Sequence, residues 1–313
     1  MVPSAEVLAD VLPTGRLTAA ARPVPELREH LRRIPNLRNA LTVGGAYLQS
    51  FGVIAVALVL NRWWAYVIAF LLMGRAFARL SILAHEAAHR LLFSPRVAND
   101  VVGRWLLAYP AFIPFEAYRR AHMAHHREEL GPNEPDAALY AGYPITRASF
   151  RRKLRRDALG VSGWKNLRPL FGALRKRTSA PIALRILAVQ AVIAGSFALA
   201  GYWWAYPLLW LAPWMTVWRV LNRLRSIAEH GGMVASDDRR QTTHVVRQHL
   251  ASRFWLVPYN TGWHLAHHAD MGIPWTKLPA LQRELVQSGW VTPSIEYPSY
   301  TALWRALSSR PGS

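Results

Sequence analysis

Residues 63–89 read WWAYVIAFLLMGRAFARLSILAHEAAH, and this stretch decides the fold. It opens on Trp63-Trp64-Ala65-Tyr66, the residue types that collect at a membrane–water interface. It continues apolar to Leu83, interrupted by Arg75 and Arg79, and so matches the roughly 20 residues a bilayer core requires. It ends in His85 and His89, whose spacing puts both rings on one face of a helix. Working outward, residues 41–60 form a second apolar run, separated only by Asn61-Arg62. Two more runs, 182–200 and 202–221, are joined near Gly201, and Trp203-Trp204-Ala205-Tyr206 repeats the opening motif. Connections this short form tight hairpins. The expected fold is therefore all-α and integral to a membrane, with four transmembrane helices in two hairpins and a helical cap. The cap would comprise 84–181 and 222–280, flanked by an N-terminal segment 1–40 and a tail 281–313.

Charge sets the expected orientation. The chain carries a formal net charge of +20, yet 52% of its residues are hydrophobic. A disordered basic protein lacks such apolar content. Cations crowd residues 1–40, 84–181 and the segment after 221, whereas the two hairpin turns hold only Arg62. By the positive-inside rule both termini and the cap are cytoplasmic, and a bacterial inner membrane is the expected location. This asymmetry accounts for the charge without nucleic acid, and the chain has no zinc-finger, helix-turn-helix or ribonucleoprotein pattern. No cleavable signal pattern is visible, so the spans are expected to retain the chain in the membrane. Arg75, Arg79, Arg219 and Arg223 are expected to snorkel to headgroups. Val101–Phe115 is expected to be a helix lying in the interface.

Chemistry is carried by histidine. With no cysteine, disulfides, thiolate metal sites and cysteine nucleophiles are excluded. Of 12 histidines, eight fall into three clusters: HEAAH at 85–89, HMAHH at 122–126 and HLAHH at 264–268. The last two share the spacing i, i+3, i+4. One histidine pair on a helix is ordinarily a surface or core feature, but three such clusters indicate metal binding, since imidazole is the commonest protein metal ligand. Eight or nine imidazoles exceed the needs of one ion and suit two. A nitrogen-rich, carboxylate-poor site suits iron or zinc. A rise of about 1.5 Å per residue brings His85 just beyond a bilayer core that starts at Trp63. The same count from Trp203 brings His230 to a similar level.

These motifs resemble the membrane fatty acid desaturase family of histidine-box di-iron enzymes. Tyr118-Arg119-Arg120-Ala121, Glu134-Pro135-Asp136, Asn260-Thr261-Gly262-Trp263, Ile273-Pro274-Trp275 and Leu278-Pro279 around the boxes are also similar to the family. The resemblance covers residues 40–280. It implies two irons, dioxygen as co-substrate and two electrons per turnover, with hydrogen removed from two adjacent CH₂ groups of a lipid acyl chain. Carried over by position, the ligands are His85, His89, His122, His125, His126, His264, His267 and His268. His230, in Ala228-Glu229-His230-Gly231-Gly232, fits the family's additional histidine, with His244 as the competitor. Glu86, Glu128, Asp136, Glu229 and Asp270 are candidates to orient the imidazoles. Trp105, Phe112, Phe115 and Trp263 are candidate walls of a substrate channel.

Electrons must come from outside the chain. Without cysteine there is no ferredoxin-like centre, and no GxGxxG follows a strand. An external ferredoxin with its reductase is the expected donor, attracted by the basic cytoplasmic face. Three rivals remain. A di-iron hydroxylase or ketolase of an acyl chain, sterol or carotenoid shares the first hydrogen abstraction. His85-Glu86-x-x-His89 also reads as the HExxH of an intramembrane zinc protease, which leaves the other two boxes without a role. A metal transporter would place ligands at the bilayer midplane, where these spans have none.

Overall fold

In the computed structural model, which describes residues 1–311, the chain is mostly helical. The helices that carry the argument are α1 (Pro25–Leu31), α2 (Asn36–Leu60), α3 (Trp63–Ala88), α4 (Phe115–Glu128), α5 (Ala180–Leu199), α6 (Val217–His230) and α7 (His264–Ala269). The chain divides into two compact units. One comprises Met1–Pro35, Arg119–Phe150 and the chain from Arg223 onward; the other comprises Asn36–Tyr118 and Arg151–Asn222.

The second unit holds α2, α3 and α5, three helices long and apolar enough to cross a membrane. Large apolar side chains such as Leu48, Val59, Val192 and Leu199 point outward from them. In water such a surface would be an aggregation hazard; hydrocarbon is its natural solvent. α3 is the inner helix, with 61% of its apolar stretch buried, against 28% for α2 and 22% for α5. Gly74 allows this close approach, because a Cβ there would lie 2.2 Å from Val217 Cγ1. Asn61 makes the turn between α2 and α3 at φ 46°, a conformation asparagine tolerates, and its Oδ1 accepts a hydrogen bond from Tyr66.

Burial of α3 also corrects the expected snorkelling of Arg75. Arg75 is 9% exposed and its guanidinium donates to Gln49 Oε1 at 2.6 Å, and Arg79 donates to the same oxygen. A charge on an inner helix face needs an acceptor from its neighbour, because desolvation without one is prohibitive.

The fourth predicted span is not one helix. Tyr206–Leu211 forms wide π-type turns, Ala212–Met215 a short α-helical turn, and Thr216 leaves helical geometry at φ −120° and ψ −83° before α6 begins. Pro213 removes a backbone N–H where the turns would otherwise continue and crowds the preceding turn, while Pro207 sits in the first turn, where a proline is tolerated. Apolar composition registered the stretch, but backbone chemistry divides it. The second Trp-Trp-Ala-Tyr copy accordingly lies at and before the start of these turns, whereas the first opens α3. The helix expected over 101–115 likewise ends early, at Ala108. Arg96–Val101 continues as π-type turns to Ala108, and Pro110 and Pro114 confine residues 109–114 to turns before α4.

α3 ends in a fixed way. His89 caps it, Arg90 turns at φ 61°, and Leu91 N donates to Glu86 O. The buried Asn99 then ties the exit down. Its Nδ2 donates to Ala87 O, and its Oδ1 accepts from Leu92 N and Phe93 N. Nearby, Phe115 is fully buried and Phe112 packs on Trp214 with ring centroids 4.5 Å apart.

The first unit has two apolar clusters. Leu17, Ala21 and Leu31 of the N-terminal segment pack with Leu265, Ala266 and Ala269 of α7 and with Leu281 and Leu285. Tyr143, Ile227 and Ala228 pack with Leu256, Leu303 and Leu307. The strictly all-α expectation is corrected by one small sheet. Val245–Val246 (β1) pairs in parallel with Glu296–Tyr297 (β2).

Candidate metal centre

Helical periodicity converts the two HxxHH spacings into convergent faces. α4 presents His122, His125 and His126; α7 presents His264, His267 and His268; His230 is the last residue of α6. All seven belong to the first unit and all are buried.

The rings meet through Nε2 atoms in two sets. His126 Nε2 lies 3.2 Å from His122 Nε2 and 3.1 Å from His267 Nε2. His264 Nε2 lies 3.1 Å from both His230 Nε2 and His268 Nε2. His125 joins the second set, its ring centroid 4.9 Å from that of His230 and 5.1 Å from that of His268. The ligand atoms of His125, His230 and His268 all lie within 4.8 Å of one another. The two sets adjoin through His126 and His268, whose ring centroids are 4.5 Å apart.

Oxygen acceptors hold the Nδ1 atoms of His268, His230 and His125. His268 Nδ1 donates to Glu129 Oε2 at 2.8 Å, His230 Nδ1 to Thr242 O at 2.9 Å, and His125 Nδ1 to both Glu134 oxygens at 3.0 Å. Donation from Nδ1 leaves the lone pair on Nε2 in a neutral ring. Around His264, then, two lone pairs face one nitrogen that can donate to only one of them. A cation resolves that conflict. Two nitrogens bound cis at about 2.1 Å to a metal sit about 3.0 Å apart, close to the separations observed. The donor set therefore fits metal ions. Carboxylates behind metal-binding imidazoles fix the tautomer and raise ring basicity.

Electrostatics agree. Burial pushes His230 down to about 4 and His267 down to about 3, and holds His264 and His268 well below the ordinary imidazole value. Neutral imidazoles are what a metal needs. Burial also opposes charge on His125, but the Glu134 hydrogen bond and charge outweigh it and raise the pKa. Glu134 is itself buried, yet hydrogen bonds from His125 and from the amides of Asp136 and Leu130 hold it down to about 2.

Glu129 is a hub that the sequence reading missed. Besides His268 it accepts from Thr243 Oγ1 at 2.9 Å and from Arg239, and its Oε1 lies 3.4 Å from His230 Nδ1. Glu134 was noted only as part of an acidic-Pro-Asp element. Tyr140 is a further neighbour, its hydroxyl 3.4 Å from His125 Nδ1. The sequence signal for these acids is their place just beyond α4, after the last box histidine.

His85 and His89 belong to the second unit, where they end α3 with ring centroids 4.6 Å apart and Glu86 Oε1 3.8 Å from His85 Nδ1. His244 points its Nε2 at Gly231 O, 2.8 Å away. Asp136 groups with His125 and Glu134. Glu229 pairs with Arg225 and approaches His264 Nδ1 to 3.6 Å. Asp270 binds Arg28, not a histidine. Trp263 packs on the α7 apolar cluster.

Comparison with known proteins agrees with this geometry. The sequence profile of a family described as "Fatty acid desaturase" matches residues 61–299. The chain is 29% identical to dihydrorhizobitoxine desaturase of Bradyrhizobium elkanii, over 83% of this chain and 80% of that protein. It is 22% identical to the chloroplastic omega-6 fatty acid desaturase of Arabidopsis thaliana, over 74% of this chain and 55% of that one. It is 27% identical to the sn-1 acyl-lipid omega-3 desaturase (ferredoxin) of Nostoc sp., over 36% and 28%.

Proposed function

The chain belongs to the fatty acid desaturase family, and from that premise we propose that it is an oxygen-dependent di-iron desaturase of a lipid acyl chain. The balanced reaction converts –CH₂–CH₂– with O₂, two electrons and two protons into –CH=CH– and two waters. The observation that carries the reading is the convergence of Nε2 atoms on His264 and on His126.

Two bound irons would supply dioxygen activation. His122, His126 and His267 form one proposed donor group; His125, His230, His264 and His268 form the other. The HEAAH pair, His85 and His89, is assigned as further ligands on its spacing and the family resemblance. Glu129 and Glu134 hold the Nδ1 protons of His268 and His125, and so keep Nε2 free to bind. Helices α2, α3 and α5, with the divided 202–221 stretch as a fourth crossing, would anchor the chain in a bacterial inner membrane. Cation asymmetry supports a cytoplasmic site. A ferredoxin with its reductase is the proposed donor, which the ferredoxin-dependent relatives support.

A second reading rests on the extent of the likeness to dihydrorhizobitoxine desaturase, which is matched over 80% of its length. On that reading the substrate is dihydrorhizobitoxine or a similar small molecule, not an acyl chain.

Expression in a host of known lipid and metabolite composition separates these readings. A lipid species lighter by two hydrogens supports the first, and a soluble species lighter by two hydrogens supports the second. A gain of one oxygen would replace both with a hydroxylase. His125→Ala is expected to abolish product and lower iron content while the protein stays in the membrane. Full activity in that variant would remove the ligand assignment.

A further inference from the structure

The N-terminal segment does more than precede the membrane helices. Thr14 N donates to Leu17 O, a backbone bridge joins Leu17 to Pro23, and α1 follows. The inner face of this segment packs on α7 through Leu17, Ala21 and Leu31. Its outer face is a concavity of ≈ 770 Å³ lined by Thr18, Arg22, Arg28, Glu29, Arg32 and Arg33 among others. Arg22, Arg32 and Arg33 are exposed there. Arg28 connects the concavity to the box helix: its Nε donates to Asp270 Oδ2 at 2.5 Å and its Nη2 to Asp270 Oδ1 at 3.1 Å. Asp270 caps α7, two residues after His268.

We propose that this arginine-lined concavity is the docking surface for the acidic protein that delivers electrons to the metal centre, a ferredoxin-class one-electron carrier. The inference rests on the desaturase reading for its purpose, and on the surface itself for its location. Three exposed guanidiniums against the single carboxylate of Glu29 make a local field that attracts an acidic partner and steers its approach. The lining holds alanine and proline but no Trp, Phe, Leu or Ile. Surfaces that settle into a lipid interface pair their cations with such residues, so this composition favours a protein over a bilayer. Packing of Leu17 and Leu31 on α7, together with the Arg28–Asp270 pair, joins the docking segment directly to the helix that bears His264, His267 and His268. Each turnover would oxidise two reduced carriers by one electron each. These two electrons and two protons, with the two hydrogens taken from the substrate, reduce O₂ to two waters.

The test uses the full-length chain, iron-loaded, in nanodiscs of zwitterionic lipid and in nanodiscs containing phosphatidylglycerol. The triple variant Arg22→Glu, Arg32→Glu, Arg33→Glu leaves the Arg28–Asp270 pair intact. Binding of an oxidised acidic [2Fe–2S] ferredoxin should weaken about tenfold or more in the variant. Wild-type binding should weaken as the screening length falls from about 30 Å to about 10 Å with added salt, and the variant should lose most of that dependence. Hydrogen exchange at residues 18–33 should slow when ferredoxin is added, in both lipids. Product formation driven by dithionite should be unchanged in the variant. Equal ferredoxin affinity in wild type and variant would overturn the proposal. So would protection of 18–33 by anionic lipid and not by ferredoxin. Ferredoxin bound at this surface without product from any reductant would leave the docking site standing and overturn the desaturase reading instead.

Discussion

Glu129 Oε2 accepts the Nδ1 proton of His268 at 2.8 Å, while Oε1 of the same carboxylate accepts Thr243 Oγ1 at 2.9 Å. One acid thus ties α7 to the loop that follows Arg239–Thr242 and fixes which nitrogen of His268 faces the metal group. Replacing it should matter even though it is not assigned as a ligand. Glu129→Gln keeps one acceptor oxygen where the carboxylate has two, so either His268 or Thr243 faces an NH₂ group, and a neutral amide loses the charge that raises the basicity of the ring. Its metal affinity is expected to fall by about 10- to 100-fold, the usual consequence of losing such a partner. Metal titration of the apoprotein, followed by elemental analysis, reads this directly. Unchanged affinity would mean that Glu129 serves only its ion pair with Arg239.

His230 and His244 are both buried and only 14 residues apart, yet they should respond differently. His230 Nε2 faces His264 Nε2, whereas His244 Nε2 is spent on Gly231 O. His230→Ala is expected to lower metal content per chain. His244→Ala should keep the metal and lose stability by roughly 1–3 kcal/mol, because Gly231 O is left without its donor. Elemental analysis beside thermal unfolding separates the two outcomes. Equal metal loss in both variants would contradict this division of roles.

Asn99 offers a test of how the HEAAH pair is held. Its side chain serves Ala87 O, Leu92 N and Phe93 N, all at the exit of α3. Asn99→Ala leaves the Leu92 and Phe93 amides without the acceptor they share, at a cost of about 1–3 kcal/mol for a buried unsatisfied group, while Ala87 O keeps Arg90 N. The thermal midpoint should fall, and exchange of the Leu92 and Phe93 amides should accelerate. A midpoint equal to wild type would indicate that water replaces the asparagine.

The histidine faces were legible in sequence because i, i+3 and i+4 are helical distances, and a helix needs no tertiary information to align them. His230 was legible by its place relative to the boxes. The acids behind the rings were not. Glu129 lies just past the end of α4, where Leu130 turns at φ 60° and helical periodicity no longer tells where a side chain points. The break within the fourth apolar run is not legible in hydropathy, which weighs side chains, whereas Pro213 acts through the backbone. The pairing of Arg28 with Asp270 joins residues 242 apart in sequence, and no local pattern announces it.

Metal removal should destabilise the first unit for the same reason that the site exists. His230 and His268 each donate through Nδ1, so both Nε2 lone pairs face His264 Nε2 at 3.1 Å. Without a cation, His264 can donate to one of them and must repel the other, or a buried ring must acquire a proton that its surroundings disfavour. Metal held at about a thousandfold above its dissociation constant would stabilise the folded chain by about 4 kcal/mol. The thermal midpoint of the iron-loaded protein, read from tryptophan fluorescence, should therefore exceed that of the chelated protein by on the order of 10 °C. His264→Ala removes both the ligand and the conflict, so this variant should show a much smaller difference between loaded and chelated forms. Identical midpoints for wild type with and without metal would show that the imidazoles reach their partners without an ion, and the centre would then be a hydrogen-bonded histidine core.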